Sequence, residues 1–130
     1  MKKKRAPWIA VTQRVVIDGK TAERRDALDQ RWADFLQVTG FLPLLLPNSL
    51  SLAQHLLASV PVSGVLLTGG NSLVTYGGDA PERDQLEFEL LNQARQSGWP
   101  VLGQTQVNSG QDISISYSLS GYRFSNVSSL

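Results

Sequence analysis

Short apolar runs alternate along the chain with segments whose apolar positions recur at helical spacing. The first run, WIAVT at 8–12, predicts a strand, and the polar stretch QRVVIDGKTAERRD after it predicts a loop with a turn at Asp18-Gly19. Leu28, Trp32, Phe35, Leu36 and Thr39 then fall on one helical face, with Asp26 placed to cap the start and Gly40 to end it. FLPLLLP at 41–47 does not alternate, which predicts a strand buried on both faces. Asn48, Ser49 and Ser51 offer caps for a short helix carrying Leu52, His55, Leu56 and Ala58. GVLLTGG at 64–70 is a third strand ending in a glycine pair. After a loop, a helix is predicted from about Glu82 to Gln96, with Leu86, Leu90, Leu91 and Ala94 on its apolar face. Asp79 or Ala80 caps it, Pro81 suits its first turn and Gly98 closes it. WPVLG at 99–103 is the fourth strand.

The order βαβαβαβ implies an α/β fold, a doubly wound parallel sheet with right-handed crossovers and helices on both faces. Functional loops in such sheets lie at the carboxyl ends of the strands. The informative positions are those just after Thr12, Pro47, Thr68 and Gly103.

Composition limits what those loops serve. A chain of 130 residues with 42% hydrophobic content supports one domain. The net charge of +1 gives no general basic field for nucleic acid or an anionic membrane. The basic residues of 1–7 read as a solvated tail, since Pro7 interrupts any signal-like apolar run. No apolar run approaches the roughly 20 residues that span a bilayer, so the expected protein is soluble and cytoplasmic. With no cysteine there is no disulfide, thiolate metal site or thiol nucleophile, and neither a metal nor another cofactor is expected. Composition changes at Gly103: residues 104–130 hold eight serines and two charged residues, Asp112 and Arg123. Their segment DISISYSLSGYRF alternates apolar residues with serine, which fits either one edge strand or no fixed structure.

The chain contains no phosphate-binding P-loop, no glycine fingerprint for a dinucleotide after the first strand, and no aspartate at the end of the third. Gly69 and Gly70 leave the backbone unobstructed at a strand's carboxyl end. Such a pair makes a turn or presents amides to an oxyanion.

The stretch from Gly64 to Gly103 resembles the class I glutamine amidotransferase-like hydrolases of the peptidase C26 group, which includes γ-glutamyl-γ-aminobutyrate hydrolases. The resemblance rests on Gly69-Gly70-Asn71-Ser72, Tyr76, Arg83-Asp84 with Glu87, and Pro100-Val101-Leu102-Gly103, and it extends upstream through RWADFLQVTGFLPLLLP. It implies the flavodoxin-like, three-layer half of such a domain at 8–103. It also implies a site at Gly69, Gly70, Asn71 and Tyr76, where the amide of Gly70 helps to form an oxyanion hole. The implied ligand is a small γ-glutamyl amide or glutamine. Ser72 stands where the family has an aspartate. Arg83, Asp84 and Glu87 are expected to cap the helix and pair along its surface.

The family's nucleophile is a cysteine on a tight strand-to-helix turn after Gly103, served by a distant histidine and glutamate. Here Gln104, Thr105 and Val107 occupy that turn, and Thr105 takes the cysteine's place. The only histidine, His55, precedes the turn and reads as a helix-face residue. No catalytic residue is therefore assigned. The expectation is a truncated, inactive hydrolase domain joined to a foreign 104–130 tail. The alternative is a noncatalytic module using the Gly-Gly loop for a carboxylate ligand or partner. In either case the unmatched edge of a half-sheet would favour self-association.

Overall fold

The computed structural model describes residues 5–69, 78–106, 113–119 and 122–123. Its elements run β1 (Trp8–Val11), β2 (Arg14–Ile17), β3 (Arg24–Ala27), α1 (Arg31–Thr39), β4 (Leu42–Leu45), α2 (Leu50–Ser59), β5 (Val62–Leu67), α3 (Pro81–Ser97), β6 (Val101–Gln106), β7 (Ile113–Leu119) and β8 (Tyr122–Arg123). One sheet has the order β4-β1-β5-β6-β7-β8, and β2 pairs with β3 in a separate hairpin. The first four strands of the sheet are parallel and the last two antiparallel, so the α/β expectation holds.

The sheet is covered on both faces. Ala10, Val62 and Val65 pack with Ala53 and Leu57 of α2 and with Leu86, Leu90 and Ala94 of α3 on one side. Ile9, Val11 and Leu66 pack with Trp32 and Leu36 of α1 on the other. Alternation along β1 and β5 thus feeds two apolar layers, which explains why both strands read as unbroken apolar runs. Between β5 and β6 the backbones come close: a Cβ on Gly64 would meet the Pro100 carbonyl oxygen at 3.2 Å.

Several elements depart from the sequence expectation. The expected loop at 13–26 is largely the β2–β3 hairpin, in register Arg14 with Ala27 through Ile17 with Arg24. Its turn does form at Asp18, whose amide donates to the Glu23 carbonyl and whose carbonyl accepts from Ala22. Asp26 lies in β3 and does not cap α1. That work falls to Asp29, whose carboxylate accepts the Arg31 amide at 2.9 Å and pairs with the Arg31 guanidinium. Leu28 packs in the α1-side core from outside the helix, while Thr39 is exposed and bonds back to the Phe35 carbonyl. Gly40 ends α1 at φ 80° and Gly98 ends α3 at φ 72°, both as expected.

β4 is an edge strand and is not buried on both faces, since Leu42 and Leu45 are each more than 40% exposed. The Leu42 amide donates to Pro7 and the Leu46 amide to Val11, which places Pro43 on the outward-facing half of the strand. A proline there costs the ladder nothing and removes a donor from the free edge. In α2 the buried positions are Ala53 and Leu57, whereas Leu52, His55 and Ala58 are exposed and Leu56 is partly buried. No side chain caps α2: Ser49 is its cap residue, and Asn48 turns to the hairpin instead. Leu91 of α3 is likewise exposed. The fourth strand continues past Gly103 to Gln106, where Leu102 through Gln106 pair with Tyr117 through Ile113 of β7. The edge of β6 is therefore paired by β7.

Asp29 gives a pH-dependent prediction. Hydrogen bonds from the Arg31 side chain and amide hold its carboxyl below the ordinary 3.8, at about 2. A depressed folded-state pKa stabilises above the unfolded value and is lost as pH falls through the folded one. Because the Asp29 side chain is 43% exposed and screened by water, Asp29→Ala should cost only about 0.5 kcal/mol at neutral pH. The gap from wild type should close as pH drops from about 4 towards about 2 in thermal melts. A gap that stays constant across that window would show that the carboxylate's charge is not what anchors α1.

Candidate functional site

The chain leaves β1 for β4 on one side and returns to β5 on the other, so the direction of winding reverses between β1 and β5. A crevice outside the carboxyl ends of those two strands is where such sheets bind ligands. The two strand ends are joined there by paired threonines. The Thr68 amide donates to Thr12 Oγ1 at 2.9 Å, and the Thr68 hydroxyl donates to the Thr12 carbonyl at 2.7 Å. Their hydroxyl oxygens lie 3.4 Å apart. Both residues are buried, and these two bonds from Thr68 to Thr12 satisfy polar groups that burial would otherwise penalise.

Gly69 follows directly, and its carbonyl is held from α3. Arg83 Nη1 donates to it at 3.2 Å, while Arg83 Nε and Nη2 meet Glu87 Oε1 at 3.0 Å each. The expected Arg83–Glu87 pairing is present, but it is not a surface pair: the Arg83 side chain is 3% exposed. A buried guanidinium needs a counter-charge and further acceptors, and the strand end supplies one. Of the residues expected at the site, only Gly69 falls within the described part. Gly70, Asn71 and Tyr76, with Ser72, lie outside the described residues. His55 sits on the exposed face of α2.

The hairpin frames the same corner. Arg24 of β3 reaches the start of α3, where its guanidinium holds both Glu82 oxygens, at 2.8 and 2.5 Å, and the Asp79 carbonyl at 2.8 Å. The hydrogen bonds from Arg24 lower the Glu82 pKa, and the same contact raises that of Arg24. Two residues along, Asp26 accepts the Asn48 side-chain amide at 2.8 Å and its backbone amide at 3.2 Å. Asn48 also donates to the Gln13 carbonyl, and Gln13 donates to the carbonyl of Leu46. The segments after β1 and β4 and the hairpin are thus tied into one polar cluster.

Thr12, Arg24 and the burial of Arg83 were not expected as parts of this site. One signal was present for Arg83: it stands in phase with Leu86, Leu90 and Ala94, so a charged residue occupies the buried stripe itself. Among the described residues no group of acidic or histidine side chains is placed to hold a metal ion, and no helix is long and apolar enough to cross a membrane. Compared with known protein families, the chain matches the peptidase C26 family over residues 7–106. No curated protein matches it.

Proposed function

The chain belongs to the peptidase C26 family of glutamine amidotransferase-like hydrolases, and on that premise we propose that it keeps the family's sheet platform without its thiol chemistry. The observation that carries this reading is the path of β6. Hydrolysis of a γ-glutamyl amide by the family route needs a nucleophile exposed on a sharp turn, a base to take its proton and amides to receive the oxyanion. Here the strand runs through the turn's position: Thr105 lies within β6, paired with Ser114 of β7. The chain offers no cysteine in its place. The change of composition after Gly103 supports reading the serine-rich tail as sequence foreign to the family, whose match runs to residue 106.

Loss of such a nucleophile costs on the order of a million-fold in turnover. Purified protein is therefore expected to release no glutamate from γ-glutamyl amides above the uncatalysed rate, and Thr105→Ala should change nothing. Release at an ordinary enzymatic rate that disappears in Thr105→Ala would overturn the proposal.

The braced strand end favours a second role at the same corner. Bonds from Thr68 to Thr12 and from Arg83 to the Gly69 carbonyl anchor the strand end, which suits a loop that receives a carboxylate. A noncatalytic module of this kind would bind glutamate or a γ-glutamyl amide without consuming it. Calorimetric titration with glutamate decides the matter, and absence of binding at millimolar ligand would remove this second role.

A further inference from the structure

We propose that the β2–β3 hairpin is a strap across the crevice between β1 and β5, latched by Arg24 to the first turn of α3 and hinged at Asn48. The proposal rests on the reading that this crevice is the ligand site, and it concerns access to it.

The geometry comes from two side chains of one strand. Arg24 and Asp26 stand two residues apart and so project from the same side of β3. Arg24 reaches Glu82 and Asp79, which precede and open the helix after β5, whereas Asp26 reaches Asn48, which follows β4. In the sheet β4 and β5 flank β1, which sets them about 10 Å apart. β3 must therefore pass crosswise over the carboxyl end of β1 to touch both. Burial beneath it agrees. Thr12 is 0% and Thr68 3% exposed, so these two strand ends are closed to solvent, as a covering strap requires. Val15 of β2 is turned inward and buried, while Val16 and Ile17 remain exposed.

The two anchors differ in kind: both are exposed where they meet the hairpin, but Asn48 is also held by a partly buried bond to the Gln13 carbonyl. On the hinge side, Asn48 joins the hairpin to the segment after β1 through both its side chain and its backbone amide. On the latch side, the contact is a forked ion pair whose side chains are 41% and 31% exposed, so water and salt compete for it. The strap should then lift from the α3 end while remaining attached at Asn48. Nothing in this motion requires β1, β5 or the Arg83 contact to break.

Hydrogen exchange read by mass spectrometry tests this without any ligand or turnover, so the strap and the noncatalytic reading can fail separately. In Glu82→Gln, amides of 14–27 are expected to exchange about two- to five-fold faster, with α1 and α2 unchanged. Raising salt to about 0.5 M should produce the same local acceleration in wild type and little more in the variant. Equal exchange of 14–27 in variant and wild type would overturn the latch. So would an acceleration spread evenly over β1, α1 and α2, because it would show loosening of the whole fold.

Discussion

Replacing Arg83 with methionine should destabilise the protein by about 3 kcal/mol, the scale expected when one partner of a buried ion pair is removed. Methionine retains much of the volume, so the loss is not chiefly a cavity. It comes from stranding two acceptors that the guanidinium serves: Glu87, whose side chain is 22% exposed, and the Gly69 carbonyl. Glu87→Met alone should be at least as costly, because it leaves the nearly buried cation without its carboxylate. The double variant should recover most of the loss, since two apolar side chains in phase with Leu86 and Leu90 extend an existing core. Urea titration of all four proteins measures this as shifts of midpoint at constant slope. A change in Arg83→Met of about 0.5 kcal/mol or less, typical of a surface site, would show that the pair does not brace the strand end.

Trp32→Ala should be comparably severe, at about 3 to 5 kcal/mol. Trp32 is 2% exposed and meets the Phe35 ring edge-on, with centroids 5.7 Å apart and an interplanar angle of 88°. On this face of the sheet the described residues supply one helix, α1, against Ile9, Val11 and Leu66. The opposite face has two helices to share such a loss. Set against the roughly 5 to 15 kcal/mol that stabilises an ordinary domain, the variant should melt much earlier by circular dichroism. Trp32→Phe should retain the edge contact and most of the stability. Unchanged melting of Trp32→Ala would mean that the α1 layer contributes little to the cooperative fold.

The four parallel strands and three helices were legible because burial on both sides writes continuous apolar runs, and Gly40, Pro81 and Gly98 mark helix ends. Errors occurred where local pattern and tertiary position diverge. FLPLLLP reads as central, yet a strand at the sheet edge carries the same leucines with one flank exposed. In α2, apolar residues at 50, 52, 53, 56, 57 and 58 offer two overlapping stripes, and only packing against the sheet and α3 selects Ala53 and Leu57. The hairpin was missed because RRDA has no apolar alternation, and its pairing depends on backbone bonds that any side chain permits. The glycine pair marked the end of the third parallel strand, and Gly69 does follow β5 closely. The threonine brace was not legible: a threonine at a strand's end says nothing of the strand beside it. Arg83 was readable in principle from its phase in the helix, but not its acceptor, which comes from 14 residues earlier in the chain.

The straight course of β6 also bears on reversibility. Converting Thr105 to cysteine is a small change of side chain, but it would leave the backbone pairing of residue 105 with Ser114 as it is. A nucleophile elbow demands that the chain leave the sheet at that point, so β7 would first have to give up its pairing with β6. On the proposed reading, restoring thiol chemistry would therefore demand a new main-chain path after Gly103 and not only a new side chain.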